Sequence, residues 1–527
     1  MPSAASDGQN AALASLEADA SRMAISLDKG RYLVLLVLTV IYAGGVILHA
    51  RGKPLWYDEV FTVMAAAEHN VADTWRAAGQ LDSAPPLTHL LTHFAVQWFG
   101  PNEISARLPE IAGFWIFCLA LFWFVRHRLG IFYGLAALLI PLSTEAYDYA
   151  YEARAYGLEL GFCGLLLLCW QRAAGARGFR YAAASAGVAL TLAGALMCQY
   201  YAVLLYLPLA GAEALRAWKT RRTNWGIWLG MAFGAAPLVW RLAGIRSAVH
   251  GFSQTSWSDS VAGTTVWSVR PFDVLDFWNE GLQSGLWILV LALAAAALWA
   301  WKAPADPPPP KNSSAFPPWE ILAAILFLAI PFLTVVFGLL VTHIYSSRYA
   351  LVGLTGVVLL VPLVVARMAR GRALVAFLLV ALAAFRLVIV TTAFAPPFDL
   401  QNQEFVLVDA LKQGPVVVAD GQLFMQMWWY LPEPLKSNLI FLVDREASVK
   451  YQTFNTAAID SALSSVRQSF PIRALDYKTF ASPGKEFRLL QNPLKPGWML
   501  EKIAADGGEE VIERYTNLRQ LYRIRMK

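Results

Sequence analysis

Apolar positions over the first three quarters of the chain fall in long unbroken runs, without the period of 3.6 or 2 that marks a half-buried helix or strand. The runs lie at 32–50, 107–126, 129–146, 151–171, 181–198, 200–217, 225–243, 281–301, 318–342, 349–368 and 373–394. A helix of about 20 apolar residues crosses a bilayer, so the pattern predicts about eleven transmembrane helices. One stretch differs. Over 85–99, His89 and His93 interrupt Leu87, Leu90, Leu91, Phe94 and Trp98, and the stretch is short for a span. It predicts a helix lying along or dipping into the membrane surface.

After about 394 the pattern changes. Val416-Val417-Val418-Ala419 and Leu439 to Val443 read as short buried strands, each ending at an aspartate, with a helix over 425–431 between them. Glu510 to Tyr515 and Leu518 to Arg525 alternate around Thr516-Asn517 as a hairpin does. The expected fold is a polytopic α-helical membrane protein with a C-terminal soluble α/β domain. Its divisions are a mobile tail over 1–28, a membrane domain over 29–395 whose first outer loop is 51–106, and the α/β domain over 396–527. The tail lacks the charged start and apolar core of a signal peptide. No Gly-rich phosphate loop follows either strand, so a nucleotide fingerprint is absent.

Charge sets the orientation. Arg22, Lys29 and Arg31 precede the first run, which puts the N-terminus in the cytoplasm, the 51–106 loop outside and, after an odd number of spans, the C-terminal domain outside. With 85–99 not crossing, Arg126-His127-Arg128, Arg172 to Arg180, Arg216 to Arg222, the Pro307 to Lys311 linker and Arg367 to Arg372 all fall inside, basic and poor in acids. The outer loops carry Asp58-Glu59, the Glu145 to Arg154 cluster, a long loop over about 241–280, and His343 to Tyr349, and these mix acids, arginines and aromatics. Chemistry is therefore expected on the outer, periplasmic face of a multi-pass inner-membrane protein.

Composition agrees: 57% hydrophobic residues, 15% charged residues and a mean hydropathy of +0.46 exclude a single soluble domain. The net charge of +6 does not indicate nucleic acid, because the basic residues cluster at the ends of apolar runs. Cys118, Cys163, Cys169 and Cys198 all lie inside runs without metal-type spacing and read as small buried hydrophobes.

Three constellations carry candidate chemistry. Trp56-Tyr57-Asp58-Glu59 places two carboxylates beside interfacial aromatics, where an acid is partly desolvated. In Glu145 to Tyr156, a continuous helix would set Asp148, Glu152 and Tyr156 on one face of a cavity wall. Arg107, Arg154 and Arg348, the last within Tyr345-Ser346-Ser347-Arg348-Tyr349, reach the same side from three spans, as a phosphate or pyrophosphate in a low-dielectric cleft requires. Tyr57, Pro85, His89, Asp148, Glu152, Tyr156 and Tyr349 are the candidate substrate contacts. His89 and His93, four apart, lack the HExxH glutamate and a third ligand, so no metal is expected there.

These residues carry a family resemblance. The early Asp58-Glu59, then Ser83-Ala84-Pro85-Pro86-Leu87 leading to Trp98-Phe99-Gly100, then Ala106-Arg107-Leu108-Pro109, resemble the N-terminal half of GT-C glycosyltransferases. The similarity is greatest to the branch of protein O-mannosyltransferases and lipid A aminoarabinose transferase. Glu152-Ala153-Arg154-Ala155-Tyr156 and Ser347-Arg348-Tyr349 resemble further pieces of that pattern. The resemblance implies transfer of a sugar from a polyprenyl-phosphate donor to a glycan, lipid or protein acceptor, with membrane lipids as surroundings and no nucleotide sugar or cofactor. It assigns Asp58 as general base and Glu59 as its support or an acceptor contact. Ala84 stands where family members often carry a lysine or histidine, so the cation for the donor phosphate is expected from Arg107, Arg154 or Arg348. Inversion at the anomeric carbon is expected, since no second nucleophile can be placed.

The alternative is a non-catalytic or transport subunit of an envelope polysaccharide system. A transporter would show matching halves, paired broken helices and mid-span acids, and the sequence suggests none of these.

Overall fold

The computed structural model describes residues 22–81, 84–240, 269–270, 272–281, 316–342, 345–367, 371–392, 394, 399–451, 463, 470–494 and 497–527. Tail residues 1–21, the expected span beyond Gly281, most of the 241–280 loop, the 307–311 linker, Ser83 and His343 lie outside them. The chain forms two compact units: Met1–Ala50, Arg107–Leu242 and Val269–Ala395 make the first, and Arg51–Ala106, Ala243–Ser268 and Pro396–Lys527 the second.

The first unit is a bundle of apolar helices. Among the described residues four are long and apolar enough to cross a membrane, Arg31–Gly52, Glu103–Leu129, Gly178–Cys198 and Ser347–Arg367, and up to six if two bent pairs each count as one span. In the first span Leu33, Leu36, Val37 and Val40 are exposed while Tyr42, Val46 and Ala50 are buried, a lipid-facing stripe backed by a packed one. Tyr42 turns inward, stacks on Trp115 at 4.5 Å and donates to the Ile111 carbonyl at 2.8 Å.

The Glu103–Leu129 and Tyr156–Gly175 helices meet backbone to backbone, because Gly113, Gly157 and Gly161 lie along the contact. A Cβ on Gly161 would stand 2.5 Å from the Gly113 carbonyl oxygen, and one on Gly157 would stand 2.6 Å from that of Glu110. Small residues four apart allow this approach in lipid, where packing replaces the hydrophobic drive. Gly161→Val is expected to destabilise the bundle by about 1–3 kcal/mol or more through overpacking. The check is the melting midpoint in detergent against Gly44→Ala, whose added carbon meets nothing within 4 Å.

Three sequence expectations are corrected here. Residues 22–29 are helical, so the expected tail is ordered from Arg22 onward. Asp28 in that helix accepts two hydrogen bonds from Arg126, at 2.8 and 3.0 Å, which anchor it to the bundle. They hold the Asp28 carboxyl below its usual range, so the pair stabilises above the ordinary carboxylate pKa and is lost as pH falls through the depressed value. Second, broken helices do occur: Glu145–Tyr151 meets Tyr156–Gly175 at 113°, and Pro318–Leu328 meets Ile330–Val341 at 45°. Pro331 accompanies the second break, where it cannot donate to the preceding turn. Third, buried acids do lie inside the helices: Glu110 in Glu103–Leu129, Glu159 in Tyr156–Gly175, and Glu213. Glu213 is fully buried within Tyr206–Thr220, where Arg216 and the Trp170 indole donate to it, at 2.6 and 3.1 Å.

The second unit combines the loop helices Tyr57–Ala66, Val71–Leu81 and Leu87–Phe99 with a six-stranded sheet. The strands are β1 (Val416–Val418), β2 (Leu439–Val443), β3 (Ala474–Asp476), β4 (Glu486–Gln491), β5 (Glu509–Tyr515) and β6 (Gln520–Arg525). Their order is β3-β2-β1-β4-β6-β5, parallel from β3 to β4 and antiparallel beyond. β1 and β2 are buried throughout, as continuous Val/Ile/Leu runs in a parallel sheet require. Leu87–Phe99 packs on the other two loop helices and buries His89 and His93, so the side chains that interrupt its apolar run face protein.

Candidate active site

In the bundle, Arg154, Tyr156, Arg348 and Tyr349 come together. The Arg348 guanidinium lies 5.8 Å from the centre of the Tyr156 ring, Tyr149 meets Tyr156 edge-on at 5.2 Å, and Tyr349 stacks on Tyr201 at 4.7 Å. Arg154 is within electrostatic reach of both Tyr156 and Glu110. The anchor is Glu110, fully buried, whose carboxylate accepts the Leu158 N–H at 2.8 Å and also the Gly157 N–H. It supplies from a neighbouring helix the acceptor that the first turn of Tyr156–Gly175 lacks. The glycine contact is what brings Glu110 close enough to do so.

Asp148, Glu152 and Tyr156 do not share one helical face. Glu145–Tyr151 is a 3-10 helix, Glu152 is extended (φ −125°, ψ 127°), and the α-helix begins only at Tyr156. The cap from Glu110 fixes that start, and the break turns Asp148 outward, where Tyr151 donates to it, while Tyr156 is buried. Arg107 is fully buried and donates to the Ala50 carbonyl at 2.6 Å, tying the end of the first span to the next.

In the second unit, Asp58 and Glu59 occupy the first turn of Tyr57–Ala66, where the helix dipole favours negative charge. They differ in task. Glu59 is buried and its carboxylate accepts the Trp56 N–H at 3.1 Å, while Asp58 is half-buried. Tyr57 packs edge-on against Phe61 at 4.7 Å, and Pro85 is buried just ahead of the Leu87–Phe99 helix.

This helix is held by the C-terminal sheet domain through Tyr430, at the end of the Gly421–Tyr430 helix. Its hydroxyl accepts the Leu55 N–H at 2.6 Å and donates to Glu103 at 2.9 Å, and Gln426 donates to the Leu55 carbonyl at 3.1 Å. Tyr430→Phe leaves the Leu55 N–H buried without this acceptor, a cost of about 1–3 kcal/mol. The expected result is faster amide hydrogen exchange across 55–66 with the sheet unaltered, read by mass spectrometry.

His93 is spent on structure: its Nδ1 donates to the Ala66 carbonyl at 2.9 Å, with the Thr74 hydroxyl at 3.1 Å. Among the described residues no group of three His, Cys, Asp or Glu side chains is placed to hold a metal ion.

No protein-family model and no curated protein sequence matches this chain. Solved structures do. ArnT from Cupriavidus metallidurans in the apo state superposes with a TM-score of 0.59 at 11% identity, covering 94% of this chain and 98% of that one. The same protein bound to undecaprenyl phosphate gives 0.58 at 11% identity over the same shares. ArnT is a GT-C glycosyltransferase. The chain has the GT-C fold.

One feature of this GT-C bundle escaped the sequence reading. Arg386 is 6% exposed within the Gly371–Thr392 helix, its guanidinium 3.5 Å from the centre of the Tyr147 ring and within electrostatic reach of His49. His49 in turn stacks on Tyr151 at 5.2 Å. The group fastens the Glu145–Tyr151 segment to the first span and to the Gly371–Thr392 helix. The signal was present: a lone arginine inside a long apolar run is too costly to face lipid and must turn toward protein.

Proposed function

We propose that the protein is a membrane glycosyltransferase that moves a sugar from a polyprenyl-phosphate donor to an acceptor hydroxyl on the outer face of the inner membrane. The observation that carries this is the GT-C fold shared over 94% of the chain with ArnT, one of whose structures holds undecaprenyl phosphate. The proposal includes about eleven spans, a cytoplasmic N-terminus, an outer C-terminal domain, and membership of the branch of protein O-mannosyltransferases and lipid A aminoarabinose transferase.

The chemistry assigns each residue a task. Asp58 takes the proton from the acceptor hydroxyl as its oxygen bonds to the anomeric carbon, and the bond from that carbon to the phosphate oxygen breaks with inversion. The lipid phosphate leaves with the electron pair. Arg154 and Arg348 stabilise its charge, set in advance in a low-dielectric wall. Tyr149, Tyr156 and Tyr349 give that wall a surface that is apolar in body and polar at the tip, suited to a sugar phosphate. Glu59 orients the Asp58 turn, and Arg107 fixes the helix that carries Glu110. No cofactor is required by this scheme.

The test is turnover by the purified full-length protein of a panel of polyprenyl-phosphate sugars, followed as acceptor-dependent release of polyprenyl phosphate. Release with one donor supports the proposal. Tight donor binding with no release across the panel and a set of glycan, lipid and protein acceptors would overturn it in favour of a non-catalytic or transport role.

A further inference from the structure

At the far end of the Glu103–Leu129 helix from Glu110, the bundle carries an open cavity of about 730 Å³ that the proposed reaction does not use. From Glu110 to Arg126 the helix advances about 24 Å, so this cavity and the tyrosine–arginine cluster lie most of a bilayer core apart. Its walls come from three helix ends: Trp123, Arg126 and His127 on the first, Leu168 and Arg172 on the second, Phe179 and Arg180 on the third. None of its lining residues is acidic.

The charges there are unequal in availability. Arg126 is committed to Asp28 and lies 5.2 Å from the centre of the Trp123 ring. Arg172 and Arg180 are exposed and have no carboxylate partner among the described residues. Basic residues at helix ends are expected from orientation alone, but here they rim a concave space within the 300–1,000 Å³ range of ligand sites. Beside them the walls are apolar, and Phe179 is 86% exposed at the lip. A soluble phosphate would use the arginines and leave Trp123, Leu168 and Phe179 without purpose. A lipid uses both.

We infer that this cavity is a binding site for an anionic phospholipid of the cytoplasmic leaflet. Arg172 and Arg180 would receive the phosphate, and Trp123, Leu168 and Phe179 would carry the first part of the acyl chains. Basic pockets between transmembrane helices on that side hold anionic headgroups in this manner.

The test uses the full-length protein in detergent, titrated with phosphatidylglycerol or phosphatidylcholine and read by native mass spectrometry. Wild type is expected to retain phosphatidylglycerol in preference. Arg172→Gln with Arg180→Gln is expected to weaken it roughly 30-fold, at about 5-fold per arginine, and the paired lysine variant to keep most of it. Phe179→Ser, which leaves every charge in place, is expected to weaken retention less. Equal retention by wild type and the double glutamine variant, or no preference over phosphatidylcholine, would overturn the inference. So would displacement of the lipid by millimolar glycerol phosphate, which would mark the site as one for a soluble phosphate. Should the double variant fail to fold, Arg180→Gln alone decides, with a 5-fold loss expected and no loss counting against.

Discussion

Asp58→Asn is expected to lower kcat by about 10²–10⁴-fold while donor affinity stays within a few-fold of wild type. The size follows from the proposed role of Asp58, since an acceptor hydroxyl is a poor nucleophile until a positioned base takes its proton. The specificity follows from the structure of the turn. Asparagine is isosteric with aspartate, and the Asp58 backbone carbonyl that accepts the Thr62 hydroxyl at 3.2 Å is untouched, so the helix start persists. The neighbouring acid is a poor substitute, because Glu59 is buried and its carboxylate accepts the Trp56 N–H. Glu59→Gln weakens that charge-assisted bond and is expected to act on helix order first and on rate through it. The measurement is single-turnover release of polyprenyl phosphate, which separates chemistry from product loss. A rate within threefold of wild type for Asp58→Asn would remove it as the base.

What the sequence disclosed and what it concealed divide by the range of the interaction. Continuous apolar runs report spans because a helix in lipid satisfies its own backbone, and that property is local. The described helices accordingly follow the runs, and the apolar runs at 416–418 and 439–443 are strands, although the partners that satisfy their backbones lie far along the chain. The break after Tyr151 was not legible. It depends on Glu110, 48 residues away from the Leu158 N–H it accepts, and on glycines whose small size matters only once two helices touch. Periodicity alone extended one helix through Asp148, Glu152 and Tyr156, and so assigned them a common face they do not have. The anchoring of the Asp58 helix by Tyr430 is further still from local reach, with 375 residues between Tyr430 and Leu55. Of the candidate arginines, spacing could not tell Arg107, which ties two spans together, from Arg154 and Arg348, which stand among tyrosines.

Arg348→Met is expected to lower kcat by about 10²–10³-fold, the loss typical of removing one preorganised donor to a developing negative charge. Methionine is shorter but keeps the unbranched apolar stem, and so retains most of the packing near Tyr156 while removing the charge that sits 5.8 Å from its ring. The division between kcat and KM separates two roles. If Arg348 only holds the lipid phosphate in the ground state, KM rises and kcat stands; if it stabilises the phosphate as it leaves, kcat falls, because charge on the leaving oxygen grows toward the transition state. Arg348→Lys keeps the charge as a compact point without the planar fork, so partial recovery is expected, an outcome that a purely structural role in the Ser347–Gly353 turn would not produce. The product adds an independent reading. Polyprenyl phosphate carries its full charge after release, so its affinity is expected to fall at least about tenfold in Arg348→Met and to remain near wild type in Asp58→Asn. Equal product affinity in both variants would place Arg348 outside the phosphate site and leave Arg154 as the cation to test.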